Sequence, residues 1–346
     1  MPNTTAVRTA QVGAAPFFAG KNKIINGDFN IWQRGTSFTP TNSTYTADRF
    51  AMTSDGTGAT RTITQQTFTP GTAPVAGYEG RFFLRYSQTV AGSGGTGNYL
   101  FHRIEDVRTF AGQTVTLSFW AKADATRVVT LTLGQLFGTG GSPSSQVDTS
   151  LGTVSLTTSW VRYTATVAVP SISGKTIGTA NNSNLQVLFT YPTNATMTID
   201  LWGVQLEAGS VATSFTTATG TLQGELAACQ RYYYRLTPNA TNSLLATGNA
   251  QSTSATRVAV NYPVEMRTRP TALETNGVAN NYNVGVAGVA SYTLDNVPVF
   301  NFASTRQIII VCSFTGSSPL VAFGPSTLGT DATNGINAFI GWSAEL

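Results

Sequence analysis

The sequence predicts an all-β protein, in which a sandwich or jelly roll of about eight to ten strands is followed by a second, smaller β-sandwich domain. Thr supplies 56 and Gly 34 of the 346 residues, which suits half-buried strands joined by tight turns. Short apolar runs alternate with period two between Gly-, Ser-, Thr- and Pro-rich loops. Charged residues make up only 10% of the chain, whereas roughly 25% is usual.

The first domain is predicted over residues 24–218. Its clearest strand covers residues 113–122, where Val115, Leu117 and Phe119 share one face. At Gly203 the apolar alternation changes parity, which predicts a β-bulge. The other strands are predicted at 129–133, 160–169, 185–191 and 197–206.

One short helix is predicted between the domains, near residues 221–231, because Thr221 can cap it and Glu225 suits its first turn. A seam of apolar residues follows a coiled-coil spacing, but two heptads are too few for a coiled coil. We therefore favour a single short helix, with a strand beginning at residues 232–234. The seam consists of Leu222, Leu226, Cys229, Tyr233 and Leu236.

The second β domain, with the helix, is predicted over residues 219–346. Its clearest strands are expected at 256–263, 308–314 and 336–342. The low charge and the apolar run from Ile308 to Val311 also favour self-association of the chain.

Residues 1–23 are polar and turn-prone, and they are predicted to form either an extended arm or a disordered terminus. Phe17 and Phe18 are its apolar anchors. The N-terminus lacks the apolar core of a signal peptide, and no apolar run approaches the 18 or so residues of a membrane span. We expect synthesis in a cytoplasm and no membrane partner.

The charge distribution argues against nucleic-acid binding. The formal net charge is +4 and the isoelectric point about 9.1, but the basic residues are scattered, with no dense run to follow a phosphate backbone. The two cysteines, Cys229 and Cys312, do not have a metal-binding spacing. Buried thiols are favoured, and a disulfide between them stays open.

The residues needed for catalysis are scarce. His102 is the only histidine, and the sequence contains no GxSxG, P-loop or HExxH motif. Glycan cleavage needs two carboxylates facing one bond. Glu105 and Asp106 are adjacent, so in a strand they point to opposite faces, and Asp124 stands apart. We therefore expect a protein that is not an enzyme.

The segment from Lys23 to Thr36, followed by residues 45–50, resembles the opening of a jelly-roll module of tailed-phage fibre and appendage proteins, a relative of carbohydrate-binding modules. Further segments match that module in the same order, so the resemblance covers roughly residues 23–235. The C-terminal domain also resembles phage fibre domains at two segments. The matching segments are 118–123, 160–163, 199–209, 212–215 and 225–233 in the module, and 262–270 and 341–346 in the C-terminal domain.

The resemblance implies a virion appendage: a tail fibre or receptor-binding protein that recognises a host surface glycan. One alternative is a capsid decoration or head-fibre protein, and another is a polysaccharide-degrading spike enzyme. The resemblance further implies a homo-oligomer, most often a trimer, at the virion surface. The arm, through Phe17 and Phe18, would attach it to other virion proteins.

Aromatic side chains can stack on sugar rings. Trp120 lies opposite the apolar face of its strand, so we expect it to be exposed and to bind glycan, together with Trp32 and Tyr45. Core packing is favoured for Trp160 and Trp202.

The resemblance also implies a structural calcium site. Its ligands would be Gly27, Asp28 and Asp200. Calcium prefers six to eight oxygen ligands, and these residues supply only two carboxylates. Hydrogen-bonded carboxylates are therefore favoured, and we expect no cofactor.

Overall fold

The computed structural model describes residues 20–75, 78–286, 291–314 and 320–346. Phe17 and Phe18 lie outside the described residues. Of the described residues, 46% are in strands and 5% in helices, which confirms the predicted all-β class. Among the described residues, no helix is long and apolar enough to cross a bilayer. The described residues divide into two compact units, one formed by the residues up to 32 with 36–225 and the other by residues 33–35 with 226–346.

The first unit contains two six-stranded antiparallel sheets. The first sheet has the order β1-β4-β5-β12-β7-β10, and the second has the order β2-β3-β6-β11-β8-β9. The strands are β1 Ser37–Phe38, β2 Thr44–Tyr45, β3 Phe50–Ser54, β4 Thr60–Thr67, β5 Phe82–Val90, β6 Asn98–Glu105, β7 Thr114–Ala123, β8 Arg127–Leu136, β9 Val147–Leu156, β10 Val161–Ala168, β11 Asn184–Thr190 and β12 Met197–Ala208.

The inner faces of these sheets pack into one apolar core. Phe119 of β7 meets Phe189 of β11 edge-on, with ring centroids 5.0 Å apart. The ring of Tyr86 in β5 packs against that of Tyr191, just after β11, in a tilted arrangement with centroids 5.1 Å apart. Each fully buried side chain of this size contributes about 1.5–3 kcal/mol. The sandwich predicted from strand alternation is confirmed.

The bulge predicted at Gly203 is also present. The pairing of β12 with β7 shifts register between Trp202 and Gln205, and Gly203 has a φ of 64°. A Cβ at this position would lie 2.7 Å from the ring of Trp120. Glycine is therefore needed here for both the left-handed backbone and the close ring.

Helix α1 spans Leu222–Gln230, and Tyr233 already belongs to a strand, so the single short helix is confirmed. Glu225 also makes hydrogen bonds outside the helix. Its carboxylate accepts hydrogen bonds from the backbone N–H groups of Asn26 and Thr219, both at 2.7 Å. This buried carboxylate ties the loop before β1 to the segment before the helix.

The second unit contains a three-stranded sheet, ordered β13-β22-β16, and a seven-stranded sheet, ordered β18-β17-β21-β14-β15-β20-β19. Both contribute to a second apolar core. The strands are β13 Tyr233–Leu236, β14 Leu244–Ala250, β15 Ala255–Asn261, β16 Glu274–Thr275, β17 Tyr282–Val286, β18 Ser291–Thr293, β19 Val299–Ala303, β20 Gln307–Ser313, β21 Pro325–Thr330 and β22 Ile340–Ser343.

Two expectations for this unit need correction. Residues 336–342 are not one strand, because a 3-10 turn at Gly335–Asn337 precedes β22. The run from Ile308 to Val311 is not simply an association surface, since Ile308 and Ile310 are fully buried in the core of the unit. Because side chains alternate along β20, only Ile309 and Val311 of this run lie on the opposite face of the sheet, where they are partly exposed.

The cysteines are buried thiols rather than a disulfide. Burial raises the pKa of Cys312 to about 12, so its thiol stays protonated.

Candidate functional site

The outward face of the second sheet carries a row of apolar side chains. Tyr45 of β2 lies opposite Ala51 of β3, Ala51 lies opposite Phe101 of β6, and Phe101 lies opposite Leu188 of β11. Residues paired in this way share a face. Tyr45 and Leu188 are partly exposed, whereas Phe101 is only 2% exposed. Ala51 is fully buried as well, so only the two ends of the row, Tyr45 and Leu188, are accessible from outside.

Polar side chains flank this row on both sides. On one side the register pairs Tyr99 of β6 with Thr53 and Thr190. On the other side Arg103 lies opposite Gln186 of β11. We call this face the platform. It consists of Tyr45, Ala51, Thr53, Tyr99, Phe101, Arg103, Gln186, Leu188 and Thr190.

Arg103 is held over the centre of the platform. Its guanidinium carbon lies 4.8 Å from the centroid of the Phe101 ring, within cation–π range. Below it, the guanidinium of the buried Arg49 donates a hydrogen bond to the carbonyl oxygen of Arg103 at 2.6 Å. The Arg103 guanidinium thus lies against the buried Phe101 ring, while Tyr45 and Tyr99 supply the partly exposed aromatic side chains of the platform.

A polar cavity of about 310 Å³ adjoins the end of the platform where β6 stops. Asp106 has a φ of 68° and follows the last residue of β6. Its carboxylate lies 3.1 Å from the guanidinium of Arg108, and its N–H donates to the carbonyl of Ser183. The lining residues are Glu105, Asp106, Arg108, Ile177, Gly178, Thr179, Asn181 and Ser183.

His102 lies beneath the platform, on the core side of β6. It is fully buried, and its Nε2 is 3.2 Å from the carbonyl oxygen of Ile25. Burial, reinforced by the positive charge of Arg49, holds the pKa of His102 well below its usual range. The imidazole is therefore neutral at pH 7 and is part of the core.

The expectation that Trp120 is exposed was wrong. It is 8% exposed, on the outward face of the first sheet. Its ring packs against Trp202 and Phe215, with centroids 5.5 and 6.2 Å away. The guanidinium of Arg162 lies 4.7 Å from the ring. The chain that follows β12 covers this face, so both faces of β7 are buried there.

The other aromatic candidates lie apart from Trp120. Trp32 is partly buried, its Nε1 donates to the carbonyl of Phe29 at 2.7 Å, and its ring stacks on Phe38. Tyr45 is the one sequence-predicted residue that lies on the platform. The structure therefore does not bring the three predicted glycan-binding aromatic residues together.

The predicted calcium ligands do not form a site that fits the ion. Both carboxylate oxygens of Asp200 accept hydrogen bonds from Arg85, at 2.7 and 2.8 Å, and Lys122 lies 3.6 Å away. Two cations already balance this carboxylate. Within the described ranges, no group of three or more His, Cys, Asp or Glu side chains is placed to hold a metal ion.

The other two predicted ligands are engaged elsewhere. Asp28 accepts hydrogen bonds from Asn30 at 2.6 Å and from the Tyr78 hydroxyl at 3.2 Å. The carbonyl of Gly27 accepts the N–H of Val204 at 2.9 Å. The interpretation of Asp28 and Asp200 as hydrogen-bonded carboxylates fits these contacts.

Most residues of the platform were not predicted from the sequence, although the alternation of apolar residues along β6 indicates several of them. The run Tyr99–Glu105 alternates, so Tyr99, Phe101 and Arg103 had to share a face once Leu100 and Ile104 entered the core. The cavity carried no such signal, because its two lining segments are far apart in sequence.

No protein-family model matches this sequence, and no curated protein matches it. Solved structures do resemble it. The enzymatically active domain of tailspike protein 4 from bacteriophage CBA120 matches with a TM-score of 0.36 and 16% identity, over 55% of this chain and 22% of that chain. The match thus spans less than a quarter of the tailspike chain.

Two bacterial domains show a similar likeness. The N-terminal cellulose-binding domain of a Cellulomonas fimi β-1,4-glucanase matches with a TM-score of 0.31 and 16% identity, over 57% of this chain and 100% of that one. A xylan-binding domain from Paenibacillus barcinonensis matches with a TM-score of 0.30 and 14% identity, over 51% of this chain and 94% of that one. Likenesses of this size carry no argument about what this chain binds.

Proposed function

We propose that this chain is a non-enzymatic carbohydrate-binding appendage protein of a phage-like virion, and that its jelly roll holds a host surface glycan on the platform. One observation carries the binding proposal. Tyr45 and Tyr99 are partly exposed on a single sheet face, among the hydroxyl, amide and guanidinium groups of their neighbours. A sugar ring has apolar C–H faces and a polar edge, and this surface offers partners for both.

The polar cavity supports the same function. It adjoins the platform at Glu105, and it presents the carboxylate of Asp106 beside the guanidinium of Arg108. Neighbouring acceptors and donors of this kind can bind adjacent sugar hydroxyls, each of which both donates and accepts. A glycan lying along the platform would place one terminal sugar in this cavity.

The contacts of Asp106 and His102 support a protein that binds glycan without cleaving it. Hydrolysis needs one carboxylic acid that gives up a proton and a second carboxylate across the bond. Asp106 is instead bonded to both the backbone N–H and the guanidinium of Arg108. His102 is neutral and lies in the core. Incubation with host polysaccharide is expected to release no reducing ends, and release would refute the non-enzymatic assignment.

The virion assignment rests on the sequence resemblance over residues 23–235, 262–270 and 341–346. We assign the chain to a tail fibre or receptor-binding protein at the virion surface, homotrimeric and attached through residues 1–23. Deletion of residues 1–20 is expected to leave a folded protein that is absent from particles. Full occupancy of particles by the truncated protein would place attachment in a folded domain. Labelled protein imaged on the capsid rather than the tail would favour the head-fibre alternative.

The binding proposal is tested with single variants of the platform. Tyr45→Ala and Tyr99→Ala are each expected to weaken binding of host polysaccharide fragments about tenfold, since a stacked aromatic side chain supplies a large share of a small interface. Tyr292→Ala is the matched control, because Tyr292 is also partly exposed but lies in the second unit. Unchanged affinity in both platform variants, with circular dichroism intact, would exclude the platform as the site.

A further inference from the structure

The seven-stranded sheet of the second unit has a face that its core leaves uncovered. Phe302 of β19 lies opposite Ile309 of β20, which lies opposite Ala259 of β15. In the next row Val311 lies opposite Arg257, which lies opposite Asn249 of β14. Phe302 is 56% exposed, and Arg257 is exposed as well. This face therefore presents aromatic surface beside a cation.

Phe323 extends this face from the turn before β21. It is 85% exposed and has a φ of 66°, a left-handed conformation that bulky residues rarely adopt. Its N–H donates to the carbonyl of Ala250, and the N–H of Ala250 donates to the carbonyl of Gly324, so the backbone holds this turn on β14. Both the exposure of the ring and the left-handed backbone are unfavourable, and at 85% exposure the described residues bury little of the ring.

The two rings and the cation line one shallow cavity of about 360 Å³, which is at the small end of the range for ligand pockets. Arg257, Phe302 and Phe323 are among its lining residues, with Asn249 and Gln251. Taking about 200 Å² for each aromatic side chain, Phe302 and Phe323 together expose on the order of 280 Å². Apolar patches of a few hundred Å² often mark binding sites.

The charge of Arg257 determines which ligand fits. Within the part of the chain that the structure describes, its guanidinium forms no ion pair and no side-chain hydrogen bond. By contrast, Arg306, in the turn between β19 and β20, pairs with Glu265 at 3.2 Å. A guanidinium binds a carboxylate through two parallel hydrogen bonds. The excess of positive charge on the whole chain also attracts acidic polymers over longer distances.

We propose that Arg257, Phe302 and Phe323 form a second saccharide site, distinct from the platform, that binds a carboxylated sugar such as a uronic or sialic acid. Arg257 pairs with the sugar carboxylate, the two rings contact the apolar sugar face, and the amides of Asn249 and Gln251 meet hydroxyl groups. The choice of a saccharide rests on the proposed function, whereas the choice of an acidic sugar rests on the guanidinium of Arg257.

The test compares acidic sugars with matched neutral ones by titration calorimetry at low salt. The pairs are trigalacturonate with its methyl ester, and 3′-sialyllactose with lactose. At least one acidic probe is expected to bind about tenfold or more tightly than its neutral partner, as a charge-assisted pair allows. Arg257→Gln removes this preference, Arg257→Lys retains part of it, and the control Arg306→Gln leaves it unchanged.

Three results would overturn the proposal: equal binding of acidic and neutral probes, no binding of either acidic probe, or a preference that survives Arg257→Gln. A fourth such result would come from sedimentation of the Phe323→Ser variant. If this variant no longer forms an oligomer that the wild type forms, a second copy of this chain covers the face. Tyr99→Ala separates the two sites. It should weaken binding of host polysaccharide at the platform and leave the acidic preference intact, so either proposal can fail without the other.

Discussion

Replacing Trp120 with alanine is expected to destabilise the jelly roll by about 4 kcal/mol. Truncating a buried tryptophan costs about 3–5 kcal/mol, from lost apolar transfer and the cavity left behind. Trp120 is 8% exposed and packs against Trp202 and Phe215, so the remaining rings are held by their own neighbours and cannot close the cavity. Loss of the contact with the partly exposed Arg162 adds about 0.5–1 kcal/mol.

Urea unfolding followed by tryptophan fluorescence measures this loss. Four of the five tryptophans lie in the first unit and only Trp342 in the second, so the signal reports mainly on the jelly roll. The change in the free energy of unfolding is read from the midpoint at constant slope. Trp120→Phe keeps a ring in place and should lose less, about 1–2 kcal/mol.

A Trp120→Ala protein within about 1 kcal/mol of the wild type would refute the core assignment, because no buried tryptophan is that replaceable. Weaker glycan binding at unchanged stability would also refute the core assignment. It would show that Trp120 is an exposed binding residue. We expect lower stability of the Trp120→Ala protein, with normal affinity for glycan in the fraction that remains folded.

Gly203→Ala is expected to destabilise the protein by about 3 kcal/mol, since it adds left-handed strain and a Cβ 2.7 Å from Trp120; a thermal melt close to that of the wild type would contradict this. Burial raises the pKa values of Asp28 and Glu225, and the charge of Asp28 adds to the shift at Glu225. Above the ordinary carboxyl pKa, the folded state therefore keeps protons that the unfolded chain has released. The free energy of unfolding that these two groups contribute falls as pH rises through this range. Asp28→Asn should gain stability relative to the wild type between pH 4 and pH 8, and a difference independent of pH would contradict that sign. Sedimentation at micromolar concentration is expected to give a homotrimer, and a monomer would refute the predicted assembly.

Alternation and glycine placement were sufficient to predict most of the first unit. The strand around Phe119 and the bulge at Gly203 follow from which side chains share a face and from where that sharing changes parity. The burial of Trp120 could not be predicted in this way. Alternation shows that Trp120 lies opposite Phe119, but not that the chain around Phe215 returns to cover that face.

The candidate site could be predicted only in part, because alternation within a strand does not show which distant segments pack against it. Tyr45 was predicted, and the alternation of β6 was enough to place Tyr99 and Arg103 on one face of their own strand, but not next to Tyr45 on β2. The cavity joins the end of β6 to residues 177–183, and such a long-range meeting depends on strand order, which local pattern does not specify. The contact of Glu225 with Asn26 is hidden for the same reason.

The central claim is that glycan binds on the outward face of the second sheet, and hydrogen exchange with a bound host oligosaccharide tests it most directly. The account predicts that amide protection increases in β3, β6 and β11 and in the cavity segment 177–183, and that the increase is lost in a Tyr45→Ala/Tyr99→Ala double variant. Protection confined to the first sheet around Trp120, with none in β6 or β11, would contradict it.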